Sequence, residues 1–311
     1  MKPESTPAAA ARWIWKRLQG RTPIPVTATA SISGTQISAG ENTASTTPGI
    51  VLHNSGYCPT CDRQVMFEAK HPWLRDNYLC SSCGSIPRER ALMHTLATWF
   101  PNWRDLVIHE SSPCGRGASV RLARECRGYL PSQLFPNIPR GDTSFGVRSE
   151  DLEALTFPDA SVDIHITQDV LEHLLHPDRA FRELARTLRP GGAHIFTAPL
   201  VNKLRPSRFR VEAQPDGTVR HLEPPAYHGN PLSPDGSLVT VDWGYDICRY
   251  ILESSGLFTQ IVYLDDLSRG IRAEYIEVLV TLKPASGNVP GTSQSSGISG
   301  FEHKRLGQKL A

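Results

Sequence analysis

The segment from Glu150 to Pro199 constrains the fold more than any other part of the chain. It runs strand, polar loop, helix, turn and second strand. Val162, Ile164 and Ile166 alternate with Asp163, His165 and Thr167, the period-two pattern of a half-buried strand. Gln168, Asp169, Glu172 and His173 follow just past its carboxyl end, the edge where open α/β sheets bind ligands. Pro177 suits the first turn of a helix, where its missing N–H has no partner to lose. Phe181, Leu184 and Leu188 recur at helical spacing, and Pro190-Gly191-Gly192 is expected to stop that helix in a turn. Ala193 to Ala198 reads as the next strand. The unit is β-α-β, so its strands should be parallel and its connection right-handed.

Four sub-motifs in this segment fall in a fixed order: Leu155-Thr156-Phe157-Pro158-Asp159, Ser161-Val162-Asp163, Val170-Leu171-Glu172-His173, and Arg186-Thr187-Leu188-Arg189-Pro190-Gly191-Gly192. Together they resemble the class I S-adenosylmethionine-dependent methyltransferases, closest to the type 11 group, over roughly residues 104 to 283. The resemblance implies an α/β fold with a Rossmann-like, seven-stranded doubly wound sheet whose last strand is antiparallel. It also implies S-adenosyl-L-methionine as cofactor. Leu106 to Glu110 is then the first strand, with Glu110 in the family's acidic position. Gly115 and Gly117 match two of its glycines if the loop is one residue longer, and Ser111 or Ser112 replaces the first. Glycine there lets backbone approach a ligand closely. A carboxylate about 20 residues further on commonly holds the ribose, but this chain has only Ser132 and Gln133 after Tyr129-Leu130-Pro131. By resemblance, Asp151 accepts from the adenine amino group, Leu152 backs the ring, and Gln168 or Asp169 lies under the sulfonium.

Cys58-Pro59-Thr60-Cys61 and Cys80-Ser81-Ser82-Cys83 are separated by eighteen residues, a zinc-ribbon spacing. Two such knuckles complete a closed tetrahedron, so Cys58, Cys61, Cys80 and Cys83 are the expected ligands of a structural Zn2+. Two disulfides, or four unrelated thiols, are the competing readings; the start of the chain lacks a secretory signal, which argues for a cytoplasmic protein and against stable disulfides. Val65, Phe67, Trp73 and Tyr78 supply the ribbon's small apolar face. The next helix, with Leu92, Leu96 and Trp99, should dock it on the main domain. Arg88 and Arg90 are either solvated or meet an anionic group. Cys114, Cys126 and Cys248 read as small buried residues.

The expected organisation is a disordered tail (1–49), a zinc ribbon (50–84), a methyltransferase domain (85–284) and a second disordered tail (285–311). Within the first tail, Ala8 to Leu18 can form a short helix bearing Trp13 and Trp15. Residues 200–245 form an insertion whose aromatic and histidine content suits a lid over the acceptor. Ile261 to Leu264 and Glu274 to Leu282 should be a terminal antiparallel pair.

Methyl transfer from a sulfonium depends on in-line positioning, which can contribute about 7 to 11 kcal/mol. A hydroxyl acceptor adds the need for a base, for which His173, His228 and Asp169 are the candidates. The acceptor is expected to be a hydroxyl or amine of a small molecule or glycan. A net charge of +2 disfavours the alternative of an RNA acceptor. No apolar run approaches the roughly 18 residues of a membrane span. A nicotinamide oxidoreductase and a non-catalytic binding protein on a degenerate methyltransferase fold are the competing classes.

Overall fold

The computed structural model describes residues 49–230 and 233–285, together with Arg12, Ile14 and Lys16. Most of both expected tails, including Trp13 and Trp15, lies outside the described residues. Arg12, Ile14 and Lys16 are helical, and Ile14 is buried against Phe135 and Val147.

A three-stranded antiparallel sheet comes first: β1 (Leu52–Cys58), β2 (Arg63–Ala69) and β3 (Tyr78–Cys80), with a single helical turn α1 (Leu74–Asn77) before β3. Helix α2 (Pro87–Trp99) leads out of it. The main sheet is built from β4 (Val107–Ser111), β5 (Gly128–Gln133), β6 (Thr143–Ser144), β7 (Val147–Ser149), β8 (Val162–Gln168), β9 (Leu188–Thr197), β16 (Phe258–Val262) and β17 (Val278–Leu282). Its order is β16-β17-β9-β8-β4-β5-β7-β6. Strands β7, β5, β4, β8 and β9 are mutually parallel, whereas β17 runs antiparallel to both β9 and β16. This is the doubly wound sheet with an antiparallel last strand. The eighth strand is β6, a two-residue hairpin arm on the β7 edge.

Helices α2 and α3 (Gly117–Glu125) cover one face, packing Leu92, Leu96, Ala118 and Leu122 against Ile108, Ile164, Ile166 and Val280. Helices α4 (Pro177–Thr187) and α5 (Ile247–Ser255) cover the other, where Phe181, Leu184 and Ile251 meet Phe196 and Leu279. Covering both faces corrects the half-buried reading of β8: all of its residues except Asp163 are buried. It also corrects the pairing expected at the end of the chain. β17 is internal, so both of its faces are buried, and the edge strand is β16, which starts three residues before the expected Ile261.

The Pro190-Gly191-Gly192 segment is not a turn between helix and strand but a bulge inside β9. Val162 pairs with Leu188 and Ile164 with Ala193, so the extra residues loop out. Gly191 has φ +83°, and a Cβ on Gly192 would stand 2.5 Å from the Asp163 carbonyl, so neither position accepts a side chain without strain.

Burying polar residues in the middle of a sheet requires partners, and these form an ordered chain. Thr187 Oγ1 donates to the Glu183 carbonyl at 2.7 Å, which spends its only proton. It must therefore accept from His165 Nε2 at 2.8 Å. His165 Nδ1 is then the acceptor for His109 Nδ1–H at 2.8 Å, and His109 Nε2 accepts from Ser132 Oγ at 2.7 Å. Burial pushes His109 down to about 3, and the nearby Arg148 acts in the same direction. His194, bonded to Thr167, is likewise pushed to about 3, and His165 lies well below the ordinary value.

Each of these imidazoles has a folded pKa below its unfolded value near 6.5. The unfolded chain therefore binds protons first as pH falls, and stability is lost from about pH 6.5 downward, at up to about 1.4 kcal/mol per histidine per pH unit. Glu110, raised by burial, works in the opposite sense, one group against three. Urea denaturation at pH 7 and pH 5.5 should show a clear drop in unfolding free energy at the lower pH; equal values would contradict the neutral chain.

Candidate active site

The carboxyl ends of β4, β5, β7 and β8 are brought level by the pairs Ser111↔Ser132, Gln133↔Ser149 and Ser111↔Thr167. Glu110, Gln133, Asp151, Gln168 and Asp169 therefore belong to one rim of one sheet. The glycine loop 112–117 leaves that rim from β4, and Ser112, Gly115 and Gly117 all have positive φ.

Glu110 is fully buried, and its carboxylate accepts from Ser119 Oγ (2.7 Å), Tyr129 Oη (2.6 Å) and Gln168 Nε2 (2.8 Å). It thus ties the first strand to α3, β5 and the end of β8, and burial raises its pKa despite those three donors. Gln168 Oε1 is buried with no hydrogen-bond partner among the described residues.

Asp169 departs from its expected role. It has φ +54°. Its Oδ2 accepts from Arg75 Nη2 at 2.7 Å, and its Oδ1 from Thr197 Oγ1 at 3.0 Å. Arg88 Nε lies 3.0 Å from the same Oδ2 but off the N–H axis, so this buried donor makes no aligned hydrogen bond. Burial alone would raise the Asp169 pKa, but the two guanidinium charges outweigh it and hold the carboxyl well below its usual range. A carboxylate so held is not a proton acceptor at neutral pH, which removes Asp169 from the candidate bases.

Helix α2 brings a further charge to the rim. Glu89, fully buried, accepts from Ile86 N at 3.1 Å and from Arg116 Nε at 2.8 Å. A Cβ on Gly117 would collide with its carboxylate. The glycine at this position is thus required by Glu89, where the sequence pattern suggested close approach to a ligand.

Two other expected positions, Ser132 and Leu152, are placed differently from the sequence reading, whereas Gln133 and Asp151 stay at the rim. Ser132 is buried and its hydroxyl is committed to His109, so it does not face a ribose. Gln133, one residue on, stays half-buried at the rim. Leu152, expected behind the adenine, is 4% exposed and belongs to the core cluster with Leu155, Phe157 and Leu171. Asp151 is half-buried, with Oδ1 accepting from Glu153 N at 2.9 Å in the manner of a turn residue.

The insertion after β9 is ordered into two small hairpins, β11 (Val211–Ala213) with β12 (Val219–His221) and β13 (Tyr227–Asn230) with β14 (Ser233–Leu238), closed by the antiparallel pair β10 (Arg208–Phe209) and β15 (Val241–Asp242). Trp243 is fully buried against Phe181, Phe209 and Tyr250 and anchors it. Thr240 N donates to the Glu172 carbonyl at 2.7 Å, joining the insertion to the turn after β8. His173 and His228 meet there with rings perpendicular and centroids 5.1 Å apart.

The four ribbon cysteines converge, with Cys58 Sγ 3.8 Å from Cys83 Sγ and Cys61 Sγ 3.8 Å from Cys80 Sγ. A tetrahedron with Zn–S bonds of about 2.3 Å places its sulfurs about 3.8 Å apart, whereas a disulfide requires about 2.05 Å. The donor set and spacing fit zinc, and all seven cysteines are unbonded. Arg90 fastens the ribbon to the domain: its guanidinium donates to the carbonyls of Tyr78 (2.7 Å), Gly270 (2.6 Å) and Ser85, and stacks on Phe67 at 4.7 Å. A Cβ on Gly270 would stand 2.6 Å from the Phe67 ring, so the contact is close. Arg90 thus meets neutral carbonyls and aromatic faces, whereas Arg88 meets an anion. Beside this seam lies a cavity of about 330 Å3 lined by Trp73, Tyr263, Asp265, Arg272 and Glu274 among others. No helix among the described residues is long and apolar enough to cross a membrane.

Residues 114–196 match the family described as "Methyltransferase domain". The stretch contains most of the glycine loop, the rim residues Gln133, Asp151, Gln168 and Asp169, and the β8-α4-β9 unit up to Phe196. Comparison with curated proteins gave no match. Among solved structures, an S-adenosylmethionine-dependent methyltransferase from Mesorhizobium loti is similar at 18% identity, covering 62% of this chain and 97% of that one, with a TM-score of 0.39. The putative methyltransferase complexed with the Trm112 activator from Haloferax volcanii is similar at 16% identity, 65% and 92% coverage and a TM-score of 0.39. The 1,6-didemethyltoxoflavin-N1-methyltransferase of Burkholderia thailandensis, solved with its substrate and S-adenosylhomocysteine, is similar at 14% identity, 63% and 78% coverage and a TM-score of 0.36.

Sequence reasoning missed Arg75 and Glu89 at the rim, and placed Glu172 at the ligand-binding edge without a role. Arg75 and Glu89 reach the rim from the ribbon side, 94 and 27 residues from their partners Asp169 and Arg116, and no local pattern reports that. Replacing Asp169 by Asn leaves the two buried guanidiniums with only the more exposed Asp76 as counter-charge. It should cost about 3 to 5 kcal/mol in chemical denaturation, and a loss below 1 kcal/mol would show that the cluster is not desolvated as described.

Proposed function

We propose that this chain transfers a methyl group from S-adenosyl-L-methionine to a hydroxyl or amine of a small-molecule or glycan acceptor, with Zn2+ in a structural role at Cys58, Cys61, Cys80 and Cys83. The observation that carries the cofactor reading is a matched pair of orphans at the end of β8. Gln168 Oε1 is a buried acceptor lacking a donor, and Arg88 Nε is a buried donor lacking an aligned acceptor. Leaving such groups unpaired costs about 1 to 3 kcal/mol each. The amino-acid end of the cofactor supplies what both lack: an ammonium for Gln168 and a carboxylate for Arg88. Glu89 and Gly115 border the same end. Glu110 holds the loop from beneath through Ser119 and Gln168. Asp151 and Gln133 remain for the adenosyl end, which requires the ribose to be held without an acid.

The bound cofactor supplies an activated methyl group, and this chain's residues orient donor and acceptor in line. The insertion covers the rim and excludes water. Where the insertion meets the turn after β8, Glu172 and His173 of that turn and His228 of the insertion take the proton of an attacking hydroxyl. The cavity beside Trp73 and Tyr263 is at the lower end of the range for small-ligand sites. Its aromatic and carboxylate lining suits a polyhydroxyl acceptor.

S-adenosylhomocysteine at a hundredfold excess over its dissociation constant should stabilise the zinc-replete protein by about 2.7 kcal/mol, read as a rise in melting temperature. A nicotinamide dinucleotide should leave it unchanged. A rise with the nicotinamide alone, or with neither ligand, would overturn the proposal.

A further inference from the structure

Glu172 is 1% exposed, and neither of its carboxylate oxygens has a hydrogen-bond partner among the described residues. A buried carboxylate without a counter-charge is costly enough that proteins pair it, neutralise it or give it a metal. Two imidazoles face it. His228 Nδ1 is 3.6 Å from Glu172 Oε1 and His173 Nε2 is 3.9 Å from the same atom. All three candidate ligand atoms lie within 4.8 Å of one another.

The tautomer of His173 is set by its other nitrogen. Nδ1 lies 2.8 Å from the Leu238 carbonyl, which can only accept, so Nδ1 carries the proton and Nε2 presents a lone pair toward Glu172. A backbone carbonyl orienting the far nitrogen is the usual support of a metal-bound histidine. The elements that carry the ligands are also fixed relative to each other. Glu172 and His173 sit on the turn after β8, His228 sits on β13 of the insertion, and Thr240 bonds the insertion to the Glu172 carbonyl.

Another cation could in principle answer Glu172. Arg75 feels its charge, but its guanidinium is spent on Asp169 and the Tyr275 carbonyl. A protonated His228 would answer one oxygen from a distance outside hydrogen-bond range and leave the other bare. We infer that Glu172, His173 and His228 form a second metal site, distinct from the four cysteines, that takes a divalent first-row transition ion such as Zn2+.

Ligands on zinc at about 2.0 to 2.1 Å in a tetrahedron stand about 3.3 to 3.4 Å apart, so the site needs to close by only a few tenths of an ångström around the two measured oxygen–nitrogen pairs. Two imidazoles and one carboxylate leave a coordination position open, the arrangement of a catalytic rather than a structural ion. Metal occupancy does not depend on the methyl-transfer reading. Its consequence does: within that reading, the open position would bind the acceptor hydroxyl and lower its pKa, the proton passing to bulk water, so that the metal-bound oxygen attacks the methyl carbon as the sulfonium C–S bond breaks and S-adenosylhomocysteine leaves.

The test is zinc content per chain after equilibrium dialysis of the full-length protein against low free zinc. Wild type should hold two ions, and His228→Ala and Glu172→Gln one each. Cobalt supplied as the second equivalent should give visible d–d bands without added thiolate charge transfer. Glu172→Gln also removes the orphan charge, so with the second site empty it should melt higher than wild type at equal cysteine-bound zinc. One ion in wild type, two ions retained in both variants, or a Glu172→Gln protein that melts lower would each overturn the inference. Two ions without a response to S-adenosylhomocysteine would uphold the site and sink the methyl-transfer reading instead.

Discussion

The architecture depends on a small buried ion cluster in which Arg75 and Arg88 meet Asp169 at the end of the central strand. One guanidinium comes from the ribbon's single helical turn, the other from the first turn of α2. The carboxylate belongs to the sheet, held in a left-handed backbone conformation that a non-glycine residue adopts only when its surroundings require it. Three charges with side chains only 9%, 13% and 14% exposed cannot be separated without leaving at least one unpaired in a low-dielectric setting. Ribbon and sheet are consequently parts of one rim. Arg90 reinforces this from the other side of α2 by tying Tyr78, Ser85 and Gly270 together through their carbonyls.

That constraint explains the need for a metal in so small an appendage. A three-stranded sheet whose buried side chains are Cys58, Phe67, Ala69, Tyr78 and Cys80, with half-buried Leu52, Val65 and Leu74 around them, has little apolar area with which to offset its ordering entropy. In the proposed reading, four thiolates on one ion supply the difference. On that reading the same ion fixes the base from which Arg75 and Arg88 reach Asp169 and Glu89 reaches Arg116 of the glycine loop. In this account the zinc acts on the methyl-transfer site only by positioning, through rigid chain, and needs no open coordination position.

Much of this was legible in the sequence where the signal is local. The alternation in β8, the helical spacing in α4 and the paired Cys-x-x-Cys knuckles each report a structure within a few residues of themselves. Polar positions on the sheet interior were misread for a definite reason. His165 looks like the solvated side of an alternating strand, and only the covering helices and the hydrogen-bonded chain through Thr187 make it interior. The proline and glycines at 190–192 illustrate a related ambiguity, because a turn and a strand bulge ask for the same residues. Arg75, Glu89 and the orphaned Glu172 could not be assigned at all without coordinates, since their meaning lies in partners far along the chain. Glu172 stood beside a recognised histidine, but its missing hydrogen bonds are visible only in three dimensions.

The account's central claim is that the cofactor slot is walled on one side by the sheet and on the other by the ribbon and α2. A crystal structure of the zinc-bound protein with S-adenosylhomocysteine tests this most directly. The account predicts the amino-acid end of the ligand between Gln168 and Gly115 on the sheet side and Arg88 and Glu89 on the other, within hydrogen-bonding distance of Gln168 Oε1 and Arg88 Nε. A ligand bound away from this rim, or a rim closed by the packed side chains of Arg88, Glu89 and Gln168 with no ligand between them, would contradict it.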